Sequence, residues 1–197
     1  KLGEEFLMSS LFTASEVALA ELGVAAAEGE ALEVVVGGLG LGYTAQAALQ
    51  DQRVASLTVV EYLAPVIAWH EEGLLPLGPE LSGDPRCRFL EGDFFALAAS
   101  EEGFGGPQDA ILLDIDHSPE ALLDARSESF YRPEGLAALA SHLKPGGIFG
   151  LWSNDRPDDR FTERLAGVFA TARAEPVTFH NPLQDREVVQ TVYLARA

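Results

Sequence analysis

The sequence predicts an α/β protein built on a Rossmann-like, doubly wound sheet of about seven strands, mostly parallel and closed by an antiparallel C-terminal hairpin. Three observations predict it. From residue 32 onward, apolar strand-like runs alternate with helix-like runs. A glycine-rich turn, "GGLGLG", follows the first such run and opens a helix. The last two strand-like runs are joined by "HNPLQDRE", which is too short for a crossover helix and implies a hairpin. A chain of 197 residues, 47% hydrophobic, can bury one good core, so one domain is the natural count.

Residues 1–31 read as a helical lead-in, with its helix at Ser15–Ala27, and residues 32–197 as the α/β domain. The start at Lys1, without the basic-then-apolar order of a signal peptide, reads as a trimmed or incomplete chain. Leu32–Gly37, β-branched through Val34–Val36, is the first strand and is apolar enough to be buried on both faces. The further strands are Ser56–Glu61, Cys87–Glu91, Ala110–Ile115, Ile148–Trp152, Ala174–Phe179 and Val188–Ala195. The helices between them are Tyr43–Gln50, Ala64–Glu71, Phe94–Ser100, Pro119–Ala125, Pro133–Leu143 and Arg160–Ala172. Proline and glycine mark "GLLPLGPELSGDPR", "EEGFGGPQ" and "KPGG" as loops.

Composition excludes several functions. The net charge is −18, from 31 acidic and 13 basic residues, a field that repels nucleic-acid backbones and attracts cations. No apolar run approaches the roughly 18 residues of a membrane span. Cys87 is the single cysteine, which suits a reducing cytoplasm. His70, His117, His142 and His180 are scattered and carry no metal-binding spacing.

In an open α/β sheet, ligands sit beyond the carboxyl ends of the strands, near the reversal of strand order. Gly37, Gly38, Gly40 and Gly42 either make a tight turn against a neighbour or bare the backbone for a ligand at the helix N-terminus. Glu61 closes "LTVVE" about 19 residues after Gly42, where a carboxylate can take both ribose hydroxyls. Asp93, after Gly92 and the third strand, can accept from an adenine amino group or cap the next helix. Asp114 and Asp116 close "AILLDID", beside the reacting end of a bound cofactor. The pattern Gly40, Gly42, Ala45 also satisfies G-x-G-x-x-A, but a nicotinamide fold leaves the terminal hairpin unexplained.

Five parallel strands followed by a hairpin is the layout of the class I S-adenosylmethionine-dependent methyltransferases. Within that fold, "VVVGGLGLG", "TVVE", "DPRCRFLEGD", "DAILLDID" and "ESFYRPEGLAALASHLKPGGIF" resemble the spermidine synthase branch, over nearly the whole chain. The resemblance implies that Glu61 holds the ribose, Asp93 with Gly92 the adenine, and Gly38–Gly42 the amino-acid or aminopropyl side of the cofactor. Three departures stand out. The family's aspartate inside the glycine turn is missing, with Gly40 nearest its place; the fourth-strand motif reads "DIDHSP", so Asp114 matches its first aspartate and His117 falls at its second; and "FTASEVAL" lacks the family's tyrosine–histidine pair.

Displacement at a sulfonium carbon requires that the nucleophile be positioned and a proton removed. Asp114, Asp116 and His117 are the catalytic candidates, with His117 a candidate general base and equally placed as a surface histidine. Tyr131 and Trp152 are candidate walls of a substrate pocket or ordinary packing residues, and Asn154 extends the same rim. Three functions follow. The first is a methyltransferase that uses S-adenosylmethionine on a small, cationic acceptor. The second is an aminopropyltransferase of polyamine synthesis that uses decarboxylated S-adenosylmethionine. The third is a noncatalytic cofactor- or partner-binding protein. The expected setting is a cytoplasmic homodimer with a small-molecule substrate, an amine among the candidates, and neither nucleic acid nor membrane as partner.

Overall fold

Along β1 (Leu32–Gly37) the side chains alternate between two cores: Val34 and Val36 pack into one and Val35 into the other. A strand apolar on both faces needs helices on both sides. The computed structural model describes residues 13–197 and supplies them, so the part of the lead-in at residues 1–12 lies outside the described residues. One face is covered by α1 (Ala14–Ala26), α2 (Tyr43–Gln50), α3 (Ala64–Glu71) and α4 (Gly78–Gly83), the other by α5 (Phe94–Ala99), α6 (Pro133–Ala140) and α7 (Asp159–Ala166). The lead-in helix packs on the sheet itself, where Gly23 sits directly against the Leu112 side chain.

The remaining strands are β2 (Val54–Glu61), β3 (Cys87–Glu91), β4 (Gln108–Leu113), β5 (Leu143–Ser153), β6 (Thr171–Asn181) and β7 (Arg186–Arg196). Their order is β3-β2-β1-β4-β5-β7-β6, with β1 to β5 parallel and β7 antiparallel to both neighbours. The chain winds outward from β1 to β3 and then returns to β4 on the other side, so the reversal lies between β1 and β4. The turn after β1 and the loop after β4 are therefore adjacent, and Asp114 N donates to Gly37 O at 2.8 Å. No described helix is long and apolar enough to cross a membrane.

Four segments differ from the sequence expectation, the first three for a tertiary or side-chain reason. Pro119–Ala125 is not helical: Ser118 and Ala121 form an isolated bridge, and a 3-10 turn follows at Ala125–Tyr131. There the carboxylates of Asp116 and Asp124 capture the backbone N–H groups of Leu123 and Arg126, which competes with helix formation. "KPGG" lies inside β5, because Gly146 N and Gly147 O pair with Ala197 at the other end of the chain. The helix expected over Arg160–Ala172 stops at Ala166, since Thr171 and Ala172 pair with β7. Short α4 arises within the proline- and glycine-rich segment read as loop.

Candidate functional site

The glycine turn is pinned from three sides. Gly38 N donates to Val60 O at 2.9 Å, Gly42 N to Leu39 O at 2.8 Å, and Leu39 N to Glu61 Oε2 at 3.0 Å. Gly38, at φ +95°, lies so close to the loop after β4 that a Cβ would stand 2.2 Å from Asp114 O. Gly42 is pressed against Leu81 and His70, and Gly37 against Phe94. Tight packing, one of the two readings of these glycines, accounts for all three. Gly40 is different: its φ is +48° and a Cβ there would meet no atom within 4 Å, so a ligand can approach the backbone at this point.

His70 shapes the same turn from α3. Its ring is 0% exposed, and Nε2 lies 3.0 Å from Gly40 O. A carbonyl only accepts, so Nε2 carries the proton, and Nδ1 is left buried without a partner among the described residues.

Glu61, at the end of β2, bridges the turn and the start of the next segment: Oε2 accepts from Leu39 N, and Oε1 accepts from Leu63 N at 2.8 Å. A carboxylate offers about four lone-pair sites, so two remain after these bonds. Gly92 N donates to Glu61 O at 3.0 Å, which ties the third strand end to the second. Asp93 caps α5, with Oδ1 accepting from Phe95 N at 2.9 Å and Ala96 N at 3.2 Å.

Asp114 and Asp116 are two residues apart yet face different surroundings. Thr44, in the first turn of α2, donates to Asp114 Oδ2 at 2.7 Å. Desolvation raises the Asp114 carboxyl to a pKa of about 6, and the Thr44 bond opposes that rise. Asp116 is 2% exposed and accepts from Leu123 N at 2.7 Å, Ser127 Oγ at 3.0 Å and Tyr131 Oη at 2.8 Å. Its carboxylate is the clasp of the loop after β4. Tyr131 lies in the second core among Phe95, Phe130 and Phe161, and burial, with Asp116 beside it, raises its hydroxyl well above the usual range. His117, half-buried, accepts from Asn154 N through its carbonyl at 2.7 Å.

Across the loop, Trp152 Nε1 donates to Ser15 Oγ at 2.8 Å, Ser15 Oγ bonds Gln190 Oε1, and Gln190 Nε2 donates to Asn154 Oδ1 at 2.7 Å. The network fastens the first turn of α1 to β5 and β7. Trp152 and Asn154 thus share one polar chain with the lead-in helix.

That helix brings a residue the sequence reading missed. Glu16 follows the anchored Ser15, its Oε2 is buried without a hydrogen-bond partner among the described residues, and its backbone carbonyl oxygen lies 3.4 Å from Thr44 Oγ1. Burial, and then the nearby Asp114, raise its carboxyl from 4.5 to about 8. Glu16 thus stays neutral through the range where Asp114 ionises and adds no repulsion there. The signal available in the sequence was position: Glu16 shares a helix face with Leu19, Ala20 and Gly23, all buried, and an acid on a buried face calls for an explanation.

The site therefore combines an open backbone at Gly40, a carboxylate with capacity for two hydroxyls, and two carboxyls of raised pKa at the other end. No family model matches the sequence, and a search of curated proteins finds no match. Solved structures do. A spermidine synthase from Thermotoga maritima matches with a TM-score of 0.70 at 18% identity, over 93% of this chain and 58% of that one. A spermidine synthase in complex with the transition-state analogue AdoDATO matches at 0.73 and 19% identity, over 93% and 60%. Human methyltransferase-like protein 13 in complex with SAH matches at 0.61 and 20% identity, over 92% and 78%. The chain spans about three fifths of the length of these spermidine synthases. It shares the fold of these structures, the class I methyltransferase fold.

Proposed function

We propose that this chain is a transferase that binds an adenosyl sulfonium compound at the carboxyl edge of β1, β2 and β4 and methylates a small, cationic acceptor, with S-adenosylmethionine as donor. The observation that carries the reading is Glu61, which holds the glycine turn with one side of its carboxylate and keeps lone pairs for a ribose diol. The bound donor would supply an electrophilic carbon on sulfur. Gly40 receives its amino-acid side, and Gly92 and Asp93 border its base. Asp114, with a pKa of about 6, is largely ionised at pH 7 and takes the proton from the acceptor nitrogen. Asp116 positions that carboxylate by clasping the loop through Leu123, Ser127 and Tyr131. His117 sits on the clasped loop as a second proton acceptor.

A second reading, aminopropyl transfer from decarboxylated S-adenosylmethionine, is favoured by one observation. The N–H groups of Gly38, Leu39 and Gly42 already have acceptors, which reduces what the turn offers to a donor carboxylate. Calorimetry with both donors separates the two. Methyl transfer requires S-adenosylmethionine to bind more tightly; a tenfold preference for the decarboxylated form reverses the order. Glu61→Gln is expected to weaken either donor by about 1 to 3 kcal/mol, as for a bond to a charged acceptor. Unchanged affinity in that variant would remove Glu61 from the ribose and the reading with it.

A further inference from the structure

We infer that Glu16, from the lead-in helix, is the counter-ion for an ammonium group of the ligand at the reacting end of the site, shared with Asp114. The inference rests on the adenosyl site proposed above and adds to it a residue from outside the strand ends.

Glu16 is held in place. Its neighbour Ser15 is buried and bonded to both Trp152 and Gln190, so the first turn of α1 cannot swing away without breaking a network that spans β5 and β7. Thr44 links it to Asp114: the hydroxyl that donates to Asp114 Oδ2 at 2.7 Å lies 3.4 Å from the Glu16 carbonyl oxygen. Glu16 Oε2 is nevertheless buried with no hydrogen-bond partner among the described residues. A buried polar oxygen without a partner destabilises a fold. An arrangement fixed this firmly and satisfied this poorly is explained by a donor that arrives with the ligand.

The donor's chemistry follows from the partners. Among the described residues, none of the Lys and Arg ion pairs involves Glu16 or Asp114. Nor do the two carboxyls gain a third His, Cys, Asp or Glu to make a metal set. A compact ammonium carries positive charge and three donors, enough for Oε2 of Glu16 and the carboxylate of Asp114 together. Ammonium binding displaces the proton that burial keeps on Glu16, so the pair becomes two carboxylates around one cation.

The ammonium can come from the sulfonium donor or from the acceptor, and the experiment separates them. Wild type and Glu16→Gln are titrated with 5′-methylthioadenosine, which has no amine, then with S-adenosylmethionine and its decarboxylated form. Finally, 1,4-diaminobutane is titrated into protein saturated with 5′-methylthioadenosine. The variant is expected to bind 5′-methylthioadenosine as wild type does and to lose at least tenfold in affinity for one amine-bearing ligand. A loss for the sulfonium compounds assigns the donor's ammonium, and a loss for the diamine alone assigns the acceptor's. Glu16→Asp, which keeps the charge, is expected to recover part of that loss. If Glu16→Gln binds all four compounds within twofold of wild type, the inference is wrong. If wild type does not bind 5′-methylthioadenosine, the adenosyl site falls and this inference with it.

Discussion

A carboxyl held near a pKa of about 8 makes the protein less stable in alkaline solution, and Glu16→Gln tests this. In the unfolded chain the group titrates near 4.5; in the folded chain burial, then Asp114, raise it to about 8. Because the folded state holds the proton more tightly, the stabilisation is fully present below 4.5 and is lost as the pH rises through about 8. At about 1.4 kcal/mol per pKa step the interval has a ceiling of about 5 kcal/mol. Glu16 keeps part of its surface in solvent, and screening there brings the expected loss to about 2 to 3 kcal/mol. Asp114 contributes a loss of the same sign between its ordinary 3.8 and about 6, so the window from pH 6.5 to 9 isolates Glu16. Urea unfolding across that window is expected to show wild type losing about 1 to 2 kcal/mol more than Glu16→Gln, which has no proton to release there. Parallel stability curves for the two proteins would refute the assignment of a buried, protonated Glu16.

Tyr131→Phe removes the hydroxyl that donates to Asp116 at 2.8 Å and is expected to cost about 1.5 to 3 kcal/mol in urea unfolding at pH 7. An unchanged midpoint would show that the loop after β4 is not clasped there. Gly38→Ala drives a Cβ to 2.2 Å from Asp114 O and is expected to destabilise by more than about 2 kcal/mol, whereas Gly40→Ala meets nothing and is expected to lose about 1 kcal/mol from its positive φ alone. Equal losses at the two positions would contradict the packing described for the turn. His70→Leu strips the donor from Gly40 O and is expected to cost about 1 to 3 kcal/mol, with His70→Gln recovering part of it; thermal denaturation showing no difference between them would mean that the bond contributes nothing.

Some elements were legible because their signal is local. The bounds of β1, β3, α2 and α3 coincide with those read from the sequence, since each is a short run of uniform character ended by glycine, proline or a polar cluster. Glu61 and Asp114 were legible for the same reason: a strand that ends on an acid in an open α/β sheet presents it at the carboxyl edge. Asp116 was not. Strand parity puts it on the same side as Asp114, but β4 stops at Leu113, and beyond that point the loop's own bonds decide where each carboxylate turns.

The sequence by itself determined the α/β class, the parallel sheet with its closing hairpin, and the two strand-end carboxylates nearest the reversal. These follow from periodicity and from the direction of strands, which short windows carry. Tertiary structure alone decided that Gly37, Gly38 and Gly42 are bare because protein presses on them, that Gly40 is bare toward open space, and that "KPGG" is strand. It also decided that Glu16, in the lead-in helix and far from Asp114 along the chain, comes within electrostatic reach of that carboxyl, with Thr44 between them. Contacts between residues so distant in sequence depend on how helices and strands pack, and no local pattern encodes that distance.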